Sequence, residues 1–271
     1  MHEFVEESFN IEDTFEYILS IQVSLNGFSF SVYQPSSNKV LVFKNTPLKI
    51  STENLLARRL KEWIQSEELL QKTYQKVRVT IFTDKFTLVP KSLHKNEVNE
   101  ELAHLLFKDG SKLKFAENLV DKAKAKLIFP LPDGFNEVIS EMIGECEINH
   151  PLKLLINRLP EVADRHSLIL LFNMRHLFVV IGKGERLLFA NSFKINHSND
   201  VVYFVLTTLK QLEIPAKGTQ MYYAGKSDYL AETNANLKKF FASTSLFNPA
   251  EPESNKQISN EVITENISLF L

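Results

Sequence analysis

The chain has 271 residues, with 31 Lys and Arg against 33 Asp and Glu, a formal net charge of −2. That balance excludes a nucleic-acid protein that works through a broad positive surface, and it excludes a polybasic membrane anchor. Eight Gly and ten Pro exclude fibrous and low-complexity classes, and a single cysteine, Cys146, excludes an intramolecular disulfide or a Cys-rich zinc module.

The opening residues His2-Glu3-Phe4-Val5-Glu6-Glu7 are acidic, without the basic start and apolar run of a signal peptide. No stretch approaches the ~20 apolar residues that cross a bilayer. The expectation is a cytoplasmic protein without membrane insertion. Residues 17–25 read as a strand. Asn26-Gly27 then predicts a type I′ hairpin, because both of its central positions need φ > 0. Residues 28–33 alternate apolar and polar, as a half-buried strand does. A turn at 35–38 leads to a third strand over 39–43, and Asn45-Thr46-Pro47 is expected to break it. A helix start at 51–53 is followed by Leu55, Leu56, Leu60, Trp63 and Ile64 on one face. Residues 77–82 form a fourth strand.

The middle of the chain reads less clearly. Residues 85–90 continue or follow the fourth strand. Residues 97–107 have helical spacing. The run 108–126 holds six lysines interleaved with acids and reads as a solvated helix face with i,i+4 pairs, or as a small basic patch for an acidic partner. A short strand at 127–129, a helix at 135–143, a strand at 146–148 and a helix at 151–159 follow, the last with Pro151 in its first turn.

The second series repeats the first. Residues 167–172 form a strand, 173–175 a turn, 176–181 a strand, 182–185 a turn and 186–189 a strand that Asn191-Ser192 is expected to break. Ser198-Asn199-Asp200 caps a helix with Val202, Phe204, Val205, Leu209 and Leu212 on its apolar face, and 219–223 is the fourth strand. The segment Val40-Leu41-Val42-Phe43-Lys44-Asn45-Thr46 matches Arg186-Leu187-Leu188-Phe189-Ala190-Asn191-Ser192, with Phe43 and Phe189 146 positions apart. The expected architecture is therefore α/β, built from two duplicated halves of three antiparallel strands, a helix, a strand and a helix. The expected domains are 10–160 and 161–249. A polar linker and an apolar C-terminal segment, 250–271, are expected to dock back on the body.

This plan resembles the ribonuclease-H-like half-domain. Two such halves in one chain resemble the actin, sugar kinase and heat-shock ATPase superfamily. The sequence, with stretches such as Phe86-Thr87-Leu88-Val89-Pro90, is similar to a bacterial family described as having an actin-like ATPase fold and no assigned function. The resemblance implies ATP in a cleft between the halves, with an acidic residue and glycines in each first hairpin. Here Ser24 or Asn26 stands near the place of the acid and only Gly27 remains. The second hairpin, Phe172-Asn173-Met174-Arg175-His176, has neither acid nor glycine. The resemblance also implies a glycine-rich adenosine loop after the fourth strand of the second half. Gly225-Lys226-Ser227 is its counterpart, and it is not a Walker A loop because Gln220 stands where a glycine is needed.

If nucleotide binds, the expected site is Asn26, Gly27, Gly225, Lys226 and Ser227; otherwise Asn26-Gly27 is an ordinary hairpin turn. No catalytic residue is expected, and Asp84 and Asp228 are the only weak candidates for a base. The seven histidines show no metal-ligand spacing, and Cys146, between Glu145 and Glu147, reads as structural. The leading expectation is a non-catalytic interaction or assembly module, without cofactor, binding a protein partner that the sequence does not identify. The alternative is a divergent ATP-binding protein.

Overall fold

The computed structural model describes residues 2–93, 105–107, 114–160 and 165–247. Three sheets organise them. The first runs β1 (His2–Val5), β4 (Lys39–Pro47), β3 (Gly27–Gln34), β2 (Ile18–Ser24), β5 (Lys76–Ile81) and β9 (Glu147–Asn149) in spatial order. The second runs β12 (Arg186–Lys194), β11 (His176–Lys183), β10 (His166–Asn173), β13 (Thr219–Lys226) and β14 (Ser243–Leu246). A small third sheet has the order β6 (Thr87–Pro90), β8 (Ala125–Leu131), β7 (Lys114–Val120).

The two large sheets share one plan. In each, the first strand pairs antiparallel with the second and parallel with the fourth, as β2 does with β3 and β5, and β10 with β11 and β13. A fifth strand then adds in parallel, β9 on β5 and β14 on β13. Helices make the crossovers. Helix α1 (Leu56–Ser66) joins β4 to β5, and α4 (Ser198–Gln211) joins β12 to β13. Helix α2 (Phe135–Met142) precedes β9 as α5 (Leu230–Leu237) precedes β14. The repeated plan thus extends further than the sequence reading placed it, because 135–149 belongs to it. The third sheet is an insertion between β5 and α2, and α3 (Pro151–Asn157) leads the chain toward the second sheet.

The apolar runs explain the layering. Strand β10 is buried from Ser167 to Phe172. A central strand covered on both faces carries no polar alternation. Leu168, Leu170 and Phe172 face the core under α4, while Ile169 and Leu171 join the core shared with the first sheet. On α1, Leu56, Leu60, Trp63 and Ile64 are buried, and Phe28 packs 5.1 Å from the Trp63 ring. Each such side chain contributes about 1.5–3 kcal/mol on burial. Helix α4 buries Val201, Val205 and Leu209; Val201 belongs to this face, while Val202, Phe204 and Leu212 are half-buried. The Asp200 carboxylate accepts the backbone N–H groups of Asn196 and His197, which fixes the start of the helix.

Three expectations are corrected. The first hairpin turns at Leu25-Asn26, with Ser24 opposite Gly27, so only Gly27 has positive φ (130°) and the turn is not type I′. Strand β4 runs on through Asn45-Thr46-Pro47, and β12 through Asn191-Ser192, because pairing with the neighbouring strand overrides the local turn preference. The lysine-rich stretch from 114 is a hairpin, not a helix. Lys126 pairs with Glu117 across β7 and β8 at 2.7 Å, and Lys124 takes the left-handed turn position. The expected helix at 97–107 lies outside the described residues apart from 105–107, as do Lys108 and Lys112, the boundary at 161–164 and the C-terminal segment 250–271. No helix among the described residues is long and apolar enough to cross a membrane.

Candidate functional site

A cleft of about 860 Å³ lies where the ends of β2, β5, β10 and β13 converge, and both first hairpins reach it. The tip of the first is held by hydrogen bonds. The Ser24 hydroxyl donates to the Gly27 carbonyl at 3.2 Å and accepts the Asn26 N–H at 3.1 Å. The Leu25 and Asn26 carbonyls accept the N–H groups of Ile50 and Leu48. Gly27 is required by space as well as by φ, since a Cβ there would lie 2.4 Å from the Thr46 carbonyl oxygen.

The second tip is closed in the same way. Met174 adopts φ 52°, and its N–H donates to the Lys226 carbonyl at 2.7 Å; the Arg175 carbonyl accepts the Ile195 N–H at 2.7 Å. The two tips then meet. Asn26 Nδ2 donates to Asn173 Oδ1 at 3.1 Å, a bond between residues 147 positions apart. Backbone amides that would cradle a phosphate must be free to point at it. Here the Asn26 and Met174 amides are committed within the fold, and the tip side chains bond each other. Replacing Asn26 by Ala leaves the Asn173 carbonyl oxygen without this donor. The expected cost is about 1 kcal/mol in a urea denaturation experiment.

Charges around the cleft balance. Lys49, Lys85, Arg175 and Lys226 face Glu53, Asp84, Asp133 and Asp228 on its walls. Lys85 Nζ lies 3.9 Å from Glu53, and His176 Nδ1 lies 3.8 Å from Asp84. The Asp84 carbonyl accepts the Ser192 hydroxyl at 2.7 Å, tying β12 to the end of β5. A site for a polyanion normally carries excess positive field, and this one does not. Among the described residues no three His, Cys, Asp or Glu side chains converge to hold a metal ion.

Of the five residues expected at a nucleotide site, Asn26, Gly27 and Lys226 line the cleft, whereas Gly225 and Ser227 do not. Gly225 (φ 87°) pairs with Phe172 inside the second sheet, and a Cβ there would lie 1.9 Å from the Phe172 carbonyl oxygen. Ser227 Oγ accepts the Tyr229 N–H at 3.3 Å, in the turn before α5. Both have local structural reasons that the sequence alone does not separate from ligand binding. Cys146 is half-buried, and burial together with Glu147 pushes its thiol up to about 11, far from a nucleophile. The residue missed by sequence reading is His150. It is fully buried where the halves meet, with Nε2 donating to the Thr83 carbonyl at 2.9 Å and Nδ1 accepting the Leu152 N–H at 3.2 Å.

Residues 6–244 match the family described as "Protein of unknown function (DUF3822)". The chain belongs to this family. No curated protein matches it in sequence. Among solved structures, it is similar to a Bacteroides thetaiotaomicron protein with actin-like ATPase fold and unknown function, with a TM-score of 0.83, 22% identity and 96% of each chain covered. It is also similar to a chain of the PilM–PilN type IV pilus biogenesis complex, with a TM-score of 0.54, 13% identity and coverage of 94% of this chain and 97% of that one. This member of the family therefore has the actin-like ATPase fold, as the order of its elements led one to expect.

Proposed function

We propose that this protein is a non-catalytic interaction or assembly module built on the actin-like architecture. The observation that carries the reading is the direct bond between the hairpin tips, Asn26 to Asn173 at 3.1 Å, at the place where the fold family would hold phosphates. Neither tip carries a carboxylate, and among the described residues no three His, Cys, Asp or Glu side chains converge on a metal position. Electrostatic preorganisation around a transferring phosphoryl group is the main catalytic device in such chemistry, and these tips offer none. A similar fold in the PilM–PilN complex gives precedent for an assembly role, and we extend it to this chain by analogy alone. The domain limits 10–160 and 161–249, a cytoplasmic location and a protein partner belong to the same reading.

The cleft volume favours a second reading, ATP binding without turnover, since about 860 Å³ is ample for a nucleotide. Calorimetric titration of the folded protein with Mg·ATP and Mg·ADP separates the two. The expected result is no saturable heat up to millimolar nucleotide. Micromolar binding, about −8 kcal/mol, would replace the first reading with the second.

A further inference from the structure

The two large sheets share one strand order, yet their outer edges are treated differently. In the first sheet β1 covers the edge of β4, with Phe4 opposite Phe43 and Glu3 opposite Lys44. The Phe4 and Phe43 rings lie 6.2 Å apart, Glu3 approaches Lys44 at 4.0 Å, and Phe43 is only 1% exposed. In the second sheet β12 holds the position of β4, and among the described residues no strand pairs with its outer edge. Ala190, which holds the register place of Phe43, and Phe189 beside it are only half-buried. An edge strand of nine residues with no partner among the described residues is a template for another chain.

The surface beside this edge is aromatic and basic. Phe189 stacks on Phe193 at 6.4 Å, Phe193 on Phe204 of α4 at 4.5 Å, and Tyr203 next to it is 64% exposed. The strand begins at Arg186 and ends at Lys194. A groove of about 670 Å³ runs onto its first residues, with Lys122, Lys124 and Arg186 against Asp121 and Glu185 on its walls, and Leu88 and Leu187 between them.

We propose that the outer edge of β12 is a strand-accepting interface. Its occupant is an extended segment of another protein, paired antiparallel as β1 is on β4. An aromatic residue of that segment stacks on Phe189, and its flanking carboxylates meet Arg186 and Lys194. Self-pairing is disfavoured by charge. A second copy of β12 centred on Ala190 would set Arg186 opposite the partner's Lys194 at both ends. This inference rests on the module reading above and names where such a module would be read.

The test uses the 271-residue chain, isotope-labelled, and a peptide copying its own residues 2–7, the sequence that already covers the β4 edge. Saturable amide shifts confined to 186–194 are expected. Binding is expected to weaken about tenfold or more when the peptide phenylalanine becomes alanine or when the peptide backbone is N-methylated. Equal affinity for the N-methylated peptide overturns strand pairing, and shifts at 39–47 in place of 186–194 overturn the location. Protection, without peptide, of the 186–194 amides that point away from β11 also overturns a partner in trans. If that protection depends on protein concentration the occupant is a second copy, and if it does not, the same chain covers the edge. None of these outcomes alters the response to Mg·ATP, so failure here is distinguishable from failure of the module reading.

Discussion

Gly225→Val is expected to remove about 4 kcal/mol or more of stability. Gly225 sits in β13 opposite Phe172 of β10, the central strand of the second sheet, with φ 87°. An added Cβ would lie 1.9 Å from the Phe172 carbonyl oxygen, 2.8 Å from its carbon and 2.9 Å from its nitrogen. All three are backbone atoms, so no side chain can swing aside. Positive φ on a β-branched residue costs about 1–3 kcal/mol by itself. Separating β13 from β10 adds to that and exposes a strand buried on both faces. A total of about 4 kcal/mol or more consumes much of the 5–15 kcal/mol that a typical domain has. Solubility on expression and a urea midpoint measure it; a variant with wild-type stability would contradict this geometry. Loss of any ligand in Gly225→Val would consequently say nothing about nucleotide. Lys226→Ala is the informative change at this loop, because the Lys226 carbonyl that receives the Met174 N–H survives it.

The same glycine marks the limit of what the sequence discloses. The strands and helices of both halves are legible because burial imposes period 2 or 3.6 on residues such as Phe28-Ser29-Phe30 and Leu56, Leu60, Trp63. The shared order of strands is legible from the sequence, although the registers set Phe189 level with Val42 and Ala190 level with Phe43, one residue from the match that the sequence suggests. A glycine, however, serves close backbone approach and phosphate binding alike, and Gly225-Lys226-Ser227 cannot disclose which without its neighbour Phe172. The lysines from 114 to 126 mislead for a related reason. Lysines alternating with acids suit an exposed helix and an exposed hairpin equally, and the choice is made by Asn118 and Val120, which point inward from β7. Asn26 and Asn173 are each ordinary turn residues in sequence. Their bond exists only because two hairpins, 147 residues apart, meet at one cleft. The functional reading thus depends on contacts between halves, where local pattern is silent.

His150 is such a contact, and it makes stability depend on acid. The ring is enclosed by Phe86, Phe129 and Phe178, at 5.3, 5.2 and 5.8 Å. These come from the loop after β5, from β8 and from β11, so the histidine sits at the junction of all three sheets. Burial disfavours the imidazolium and lowers its pKa from the usual 6.5 to about 4, against a smaller opposing effect of the Thr83 carbonyl. The folded state thus holds the neutral form, while the unfolded chain takes up a proton below 6.5. The unfolded state binds more protons between these values, so stability rises with pH there. The contribution is complete above pH 6.5 and is lost as pH falls to 4. A shift of this size amounts to about 3 kcal/mol. Urea denaturation at pH 7, 5.5 and 4 is expected to show that loss in the wild type. His150→Asn keeps an acceptor for the Leu152 N–H at the start of α3 and removes the titrating ring. It is expected to be less stable at pH 7 and to follow a flatter profile. Parallel profiles for the two proteins would move the acid sensitivity elsewhere. A steeper wild-type profile would assign the acid sensitivity to protonation of this one buried ring.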